Sequence, residues 1–84
     1  MSETNSVELS QREIKLLIKY GYPFDEVSEQ LEKVAKRKGI HIVEMTQDDA
    51  NMLIADLVYS AKSIKSARLL EAIEEICSVL EHRF

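Results

Sequence analysis

Cysteine, glycine and proline are all scarce in this sequence of 84 residues, and each scarcity excludes something. The single cysteine, Cys77, cannot form an intramolecular disulfide and lacks the paired spacing of a metal cluster. The only glycines, Gly21 and Gly39, are too few for a glycine-rich phosphate loop, and both positions suit the end of a helix. The single proline, Pro23, suits the first turn of a helix.

Long apolar runs and an excess of positive charge are also missing. No stretch approaches the roughly 18 apolar residues of a membrane span, and residues 2–7 are too polar for the start of a signal peptide. We therefore expect no membrane partner and a cytoplasmic location. Lys+Arg 11 against Asp+Glu 15 gives a net charge of -4, which disfavours long-range attraction to nucleic acid or anionic lipid.

Patterns that carry catalysis are absent as well. His41 and His82 have no second histidine at helical spacing, so neither predicts a metal site. Glu71 and Glu75 share a helix face, but nothing in the sequence supplies the apolar pocket that would raise the pKa of one carboxyl for acid–base work. We expect no catalytic residue, no cofactor and no metal, and hence a protein that is not an enzyme.

Hydrophobic residues, by contrast, make up 45% of the chain, a full complement for a small domain. A chain of this size buries only about 60–65% of its unfolded surface, so one small core will not cover every apolar side chain. The remainder tends to become an interface. The composition therefore favours self-association, as a homodimer.

The first half of the chain predicts a tail followed by two helices. Residues 1–8 are small, polar and acidic, and we expect a flexible tail there. Ser10 and Glu13 have the spacing of a capping box, which predicts a helix that ends at a left-handed Gly21. The second helix buries one apolar stripe and ends at Gly39. That stripe comprises Phe24, Val27, Leu31, Val34 and Ala35.

Residues 40–43, Ile-His-Ile-Val, are β-branched and short. A strand needs a partner, and no other segment offers one, so we expect an extended connector whose isoleucines plug a helical bundle. The alternative is a strand that pairs with its own copy across a two-fold axis. No internal repeat is evident in the sequence.

The second half contains no glycine or proline from Thr46 to Phe84, so one long helix has to be weighed against two. The apolar stripe that starts at Ala50 loses phase near Arg68, where a continuing helix would need an apolar residue. Two helices are therefore favoured, with Ser63 or Ser66 as the second N-cap. The sequence predicts an all-α fold in which residues 9–84 form a single helical domain, a compact bundle or orthogonal array of about four helices with short connections.

Two surface features separate the remaining functions. Apolar side chains outside the stripes predict a protein interface, which favours a non-enzymatic interaction or regulatory module that binds itself or another protein. These side chains are Tyr22, Met52, Tyr59 and Val79. The alternative is a small nucleic-acid-associated regulator that neutralises phosphates with a basic run. That run comprises Lys33, Lys36, Arg37 and Lys38, although the helix dipole alone also favours bases there.

Overall fold

A computed structural model describes residues 4–84, except for the side chain of Asp25, and its fold is mixed α/β. The elements are β1 Thr4–Ser10, α1 Gln11–Tyr20, α2 Asp25–Val34, β2 Ile40–Thr46, α3 Gln47–Ala61 and α4 Ala67–Arg83. The all-α prediction is therefore wrong, because two strands accompany the four helices. The number of helices is as expected, and the break between α3 and α4 confirms two helices after Thr46.

The strands form an antiparallel ribbon that runs from the pair Thr4 and Thr46 to the pair Ser10 and Ile40. Residues 4–8 of the expected tail are thus paired in β1, and residues 1–3 lie outside the described part of the chain. Strand β1 alternates as a half-buried strand should, with Val7 buried and Glu8 exposed. The prediction of a flexible tail is therefore wrong for residues 4–8. The polar residues that suggested a tail form the exposed face of β1, and only its other face is apolar.

The segment at residues 40–43 begins strand β2, so the connector interpretation is wrong. Its partner in this chain is β1. Val43 and Met45 are buried, whereas Ile40 and Ile42 point to the outer face of the ribbon and are exposed. The expected plug of isoleucines is therefore absent, and β-branched residues here serve strand formation.

The two halves of the chain repeat the order strand, helix, helix, and the sequence repeats with them. Residues 7–11 are Val-Glu-Leu-Ser-Gln and residues 43–47 are Val-Glu-Met-Thr-Gln, a separation of 36 residues (43 minus 7). Equivalent valines, Val7 and Val43, pair at the centre of the ribbon, so a local two-fold axis relates the strands. The sequence analysis expected no internal repeat, and that expectation is therefore wrong.

Each strand continues directly into a helix through a capping box. The Ser10 and Glu13 box is confirmed, since the Glu13 N–H donates to Ser10 Oγ at 3.2 Å and the Ser10 N–H donates to the Glu13 carboxylate at 2.9 Å. Thr46 and Asp49 form the equivalent box at 3.1 Å in both directions. Ser66 caps α4 by accepting from the Leu69 N–H. The caps thus fix where three of the helices begin.

Side chains from the flanking helices reach the outer edges of the ribbon. Gln30 Nε2 donates to the Glu44 carbonyl at 2.8 Å, and the Glu44 N–H donates to Gln30 Oε1 at 2.9 Å. On the other edge, Arg83 Nε donates to the Ser6 carbonyl. These contacts satisfy backbone groups that face away from the partner strand, and they reduce the capacity of each edge to pair with another chain.

One core is shared by both halves and lies between the inner face of the ribbon and the helices. Its buried side chains are Val7, Leu9, Ile14, Leu17, Val27, Leu31, Val43, Met45, Ala50, Leu53, Leu57, Ile73, Ile76 and Leu80. Because β1 contributes to this core as fully as β2 does, residues 4–10 are part of the fold. Helix α2 ends at Val34, earlier than expected, and a turn leads to Gly39 at φ 102°.

Candidate protein-interaction surface

The junction of α1 and α2 contains a strained residue, Tyr22. Its φ of 47° lies in the left-handed region, which bulky side chains rarely occupy. Tyr22 also precedes Pro23, and a residue before proline prefers extended backbone. Such a conformation costs on the order of 1–3 kcal/mol. The surrounding structure has to hold Tyr22 in this state.

Gly21 was expected to take the left-handed position, but it is right-handed, with φ -94°. Its N–H donates to the Leu17 carbonyl at 2.8 Å, which keeps it within the end of α1. A Cβ on this residue would lie 2.8 Å from the Leu17 carbonyl oxygen and 3.2 Å from Leu53 Cδ2. Glycine is therefore needed here mainly because a Cβ would collide with the Leu17 carbonyl of α1, and it also lets Leu53 of α3 approach closely. The sharp turn falls on Tyr22.

Beside this turn lies a groove between the α1–α2 junction and α3, which we call the Tyr22 groove. Its lining residues are Gly21, Tyr22, Pro23, Phe24, Val27, Asp49, Met52, Leu53 and Asp56. Three of them are large apolar side chains left in water, with exposed fractions of 62% for Tyr22, 54% for Phe24 and 43% for Met52. An apolar cluster of this kind is typical of a contact surface.

The internal repeat gives one position of this groove an equivalent in the other half of the protein. Met52 in α3 is equivalent to Leu16 in α1, since both precede a Leu-Ile pair that lies in the same helix. Leu16 is half-buried and packs against the core, whereas Met52 is exposed. The groove is thus a place where the two halves differ in how far they cover the same position.

The charge around the Tyr22 groove is negative. Asp49 and Asp56 belong to its lining, and the exposed Glu26 lies beside Phe24 on the adjoining surface. Asp49 is partly engaged through its capping contact with the Thr46 N–H. An apolar floor with an acidic border favours a partner that carries apolar side chains next to positive charge.

Of the four residues predicted for the interface, two lie in the Tyr22 groove and two lie outside it. Tyr22 and Met52 line the same groove. Tyr59 is 73% exposed on α3, with its ring 5.9 Å from Lys62 Nζ, and it lies outside the groove. Val79 is half-buried and packs against the core, so the expectation that the core does not use it is wrong.

Phe24 is the groove residue that sequence reasoning missed. The apolar stripe of the second helix assigned it to the core, yet it forms the N-cap of α2, where the chain is still extended and the helical spacing does not apply. Its position next to Pro23 was the available signal.

The basic run is exposed and is followed by exposed isoleucines. Lys33 lies in the last turn of α2, and the other three cations follow the helix. Ile40 and Ile42 come next, with exposed fractions of 70% and 65%. We call this second feature the Ile40 surface; it comprises Lys36, Arg37, Lys38, Ile40 and Ile42. His41 Nε2 lies 2.9 Å from the Arg37 carbonyl, which ties the start of β2 to the turn after α2.

Between residues 4 and 84, no three His, Cys, Asp or Glu side chains are grouped so that they could hold a metal ion. Within that range, none of the helices is long and apolar enough to cross a membrane. Burial raises the pKa of the Cys77 thiol above its ordinary value, and the carboxylates of Glu81 and Glu74 raise it further.

Comparisons with known proteins leave the function to be argued from these surfaces. No protein-family model matches the chain, and neither a curated protein nor a solved structure matches it.

Proposed function

We propose that this protein is a non-enzymatic interaction or regulatory module that acts as a homodimer in the cytoplasm and binds through the Tyr22 groove. The observation that carries the proposal is Tyr22 itself, a large aromatic residue held at φ 47° with its side chain 62% exposed. Burial in the core cannot be the reason for this strain, because most of the side chain remains in water. Strained residues that bury little cluster at binding sites.

The chemistry of the groove suits protein recognition. Tyrosine and methionine are both enriched in interfaces, where a rigid aromatic anchor and an adaptable thioether contribute contact area. Phe24 adds a second ring beside Tyr22. Removing them from water stabilises a complex by roughly 25 cal/mol per Å² of apolar surface.

The variant Tyr22→Asn tests the proposal, because asparagine tolerates the left-handed conformation but removes the ring. We expect the thermal midpoint of the monomer, measured at protein concentrations below the dissociation constant, to stay the same or rise, while the dimer dissociation constant rises by roughly tenfold or more. Sedimentation equilibrium over a wide concentration range measures the dissociation constant. Met52→Ala should weaken the dimer in the same direction.

The matched control is Val58→Ala, which truncates an exposed apolar side chain of α3 outside the groove. It should leave the dimer unchanged. A wild-type chain that stays monomeric at the highest concentration measured would overturn the proposal, as would a Tyr22→Asn chain that dimerises as tightly as the wild type.

A second candidate function, binding to nucleic acid, is favoured by one observation: all four cations of the basic run are exposed. Lys33, Lys36, Arg37 and Lys38 could contact successive phosphates. The net charge of -4 opposes this function, so it ranks below protein interaction.

A further inference from the structure

Helix α2 and the turn after it carry a polarised exposed face. Glu26, Glu29 and Lys33 are spaced by three and four residues, so they lie along one side of the helix. Lys36 and Arg37 follow in the turn after the helix. All five side chains are exposed, as is Glu32. Apart from Glu32, the exposed charges are therefore acidic toward the Tyr22 groove and basic toward the Ile40 surface.

We propose that a second copy of this chain docks antiparallel along α2, so that the Tyr22 groove of each protomer receives the Ile40 surface of the other. The inference rests on the proposed homodimer and specifies which surfaces meet in it. In a two-fold dimer, residue i of one protomer contacts residue j of the other, and the reverse contact follows by symmetry. Each contact is thus made twice.

The two surfaces lie at opposite ends of α2. The helix has 10 residues and is about 15 Å long at 1.5 Å per residue. The groove lies at its amino-terminal end, and the Ile40 surface follows its carboxyl-terminal end. Turning a second copy end for end along the same helix therefore brings the two unlike surfaces together at both ends of the contact.

Charge and hydrophobicity match at each end. The acidic side chains around the groove, Glu26, Asp49 and Asp56, would face Lys36, Arg37 and Lys38 of the other copy. Exposed apolar side chains meet in the same places, with the aromatic pair of the groove against the isoleucines. A parallel arrangement would instead place acid against acid and base against base, which costs free energy.

This complementarity is local, because the chain as a whole repels its copy with a net charge of -4. Attraction between partly exposed charges is screened within about 8 Å at physiological ionic strength. The antiparallel dimer should therefore weaken as salt is raised, whereas a dimer held by apolar contacts alone should not.

The experiment uses two charge-reversed chains. The first, E26K/E29K, makes the whole α2 face basic; the second, K33E/K36E/R37E, makes it acidic. Each alone should be monomeric at concentrations where the wild type is a dimer, since like charges would meet twice. An equimolar mixture should restore the dimer, because the reversed α2 side chains of each chain then face opposite charges on α2 of the other. Sedimentation velocity, with a fluorescent label on one chain, measures the mixed species.

Misfolding cannot mimic this result, because the mixture contains the same two chains that fail to dimerise alone. Control variants E71K/E74K and K62E/K65E/R68E change the net charge by the same amounts at exposed positions of the loop and α4. Both controls should dimerise as the wild type does.

Three outcomes would overturn the inference. If both charge-reversed chains dimerise as tightly as the wild type, antiparallel docking on α2 is excluded, while the proposed homodimer is not affected. Reversed chains that do not recover the dimer on mixing would also exclude it. If the wild type is monomeric and binds a DNA duplex at low salt, and if K33E/K36E/R37E no longer binds that duplex, both proposals are overturned. The basic run is then assigned to nucleic-acid binding.

Discussion

Val7 lies directly opposite Val43 at the centre of the ribbon, and both side chains are buried in the core that the two halves share. They occupy equivalent places in the internal repeat, so the pair joins each half to its counterpart. The sequence analysis predicted a connector at residues 40–43 and gave pairing with a second chain as the alternative. In the structure this segment pairs instead with strand β1 of the same chain.

This relationship predicts that Val7 is as important for stability as Val43. Val7→Ala should lower the free energy of unfolding by about 1–3 kcal/mol, because it removes two buried methyl groups and leaves a cavity. Val43→Ala should cost a similar amount. Urea denaturation, followed by helical circular dichroism, measures both. Glu8→Ala, on the exposed face of the same strand, is the control and should change stability little. If residues 1–8 were a flexible tail, Val7→Ala would have no effect.

The helices could be predicted from the sequence because their signals are local. Capping boxes at Ser10 and Thr46 depend on residues three apart, and the stripes depend on helical spacing. The strands could not be found this way, because β1 and β2 stabilise each other across the 29 residues (11–39) that separate them. The recurrence of Val-Glu followed by Ser-Gln or Thr-Gln was the available signal, since a repeat marks two segments with the same structure.

The candidate site was only partly predictable for a related reason. Tyr22 and Met52 were identified because neither fits an apolar stripe. That they share one groove depends on how α3 packs against Gly21, which is a tertiary contact. The left-handed turn at Tyr22 could not be foreseen either, because Gly21 is the better residue for that conformation by local preference alone.

Gln30 should protect the ribbon from pairing with other chains. Gln30→Ala removes both hydrogen bonds to the Glu44 backbone, and each is worth roughly 0.5–1.5 kcal/mol. The variant should be less stable and should aggregate faster, since Glu44 would present free backbone groups beside the exposed Ile42. Light scattering during prolonged incubation measures the aggregation.

The control for that variant is Gln47→Ala, which removes an exposed glutamine in the first turn of α3. It should leave both stability and aggregation close to those of the wild type. Equal aggregation of the Gln30→Ala and wild-type chains would show that the side chain of Gln30 does not protect the edge.

The basic run makes a separate prediction for nucleic acid. If its four cations contact phosphates, the logarithm of the binding constant for a duplex should fall with the logarithm of salt at a slope of about -3 to -4. Neutralising Lys36 and Arg37 together should reduce the slope by about two. Because the net charge is -4 and the basic run is the complementary surface of the proposed dimer, we expect no measurable duplex binding at physiological salt. Fluorescence anisotropy with a labelled duplex measures it.

The free energy of unfolding should fall in alkaline solution because of Cys77. Burial, followed by the charges of Glu81 and Glu74, raises the pKa of the folded thiol above the ordinary value of 9.0, so the folded chain holds this proton more tightly than the unfolded chain does. The contribution of the raised Cys77 pKa to folding stability is complete below pH 9.0 and is lost as pH rises through the folded pKa.

Alkylation of Cys77 in the folded chain by iodoacetamide at about pH 8 should be slower than in the urea-unfolded chain, because the thiolate is the reactive form. Glu81→Gln should speed alkylation of the folded chain, whereas Glu71→Gln should not. Equal rates in the folded and unfolded chains would contradict a raised pKa at Cys77.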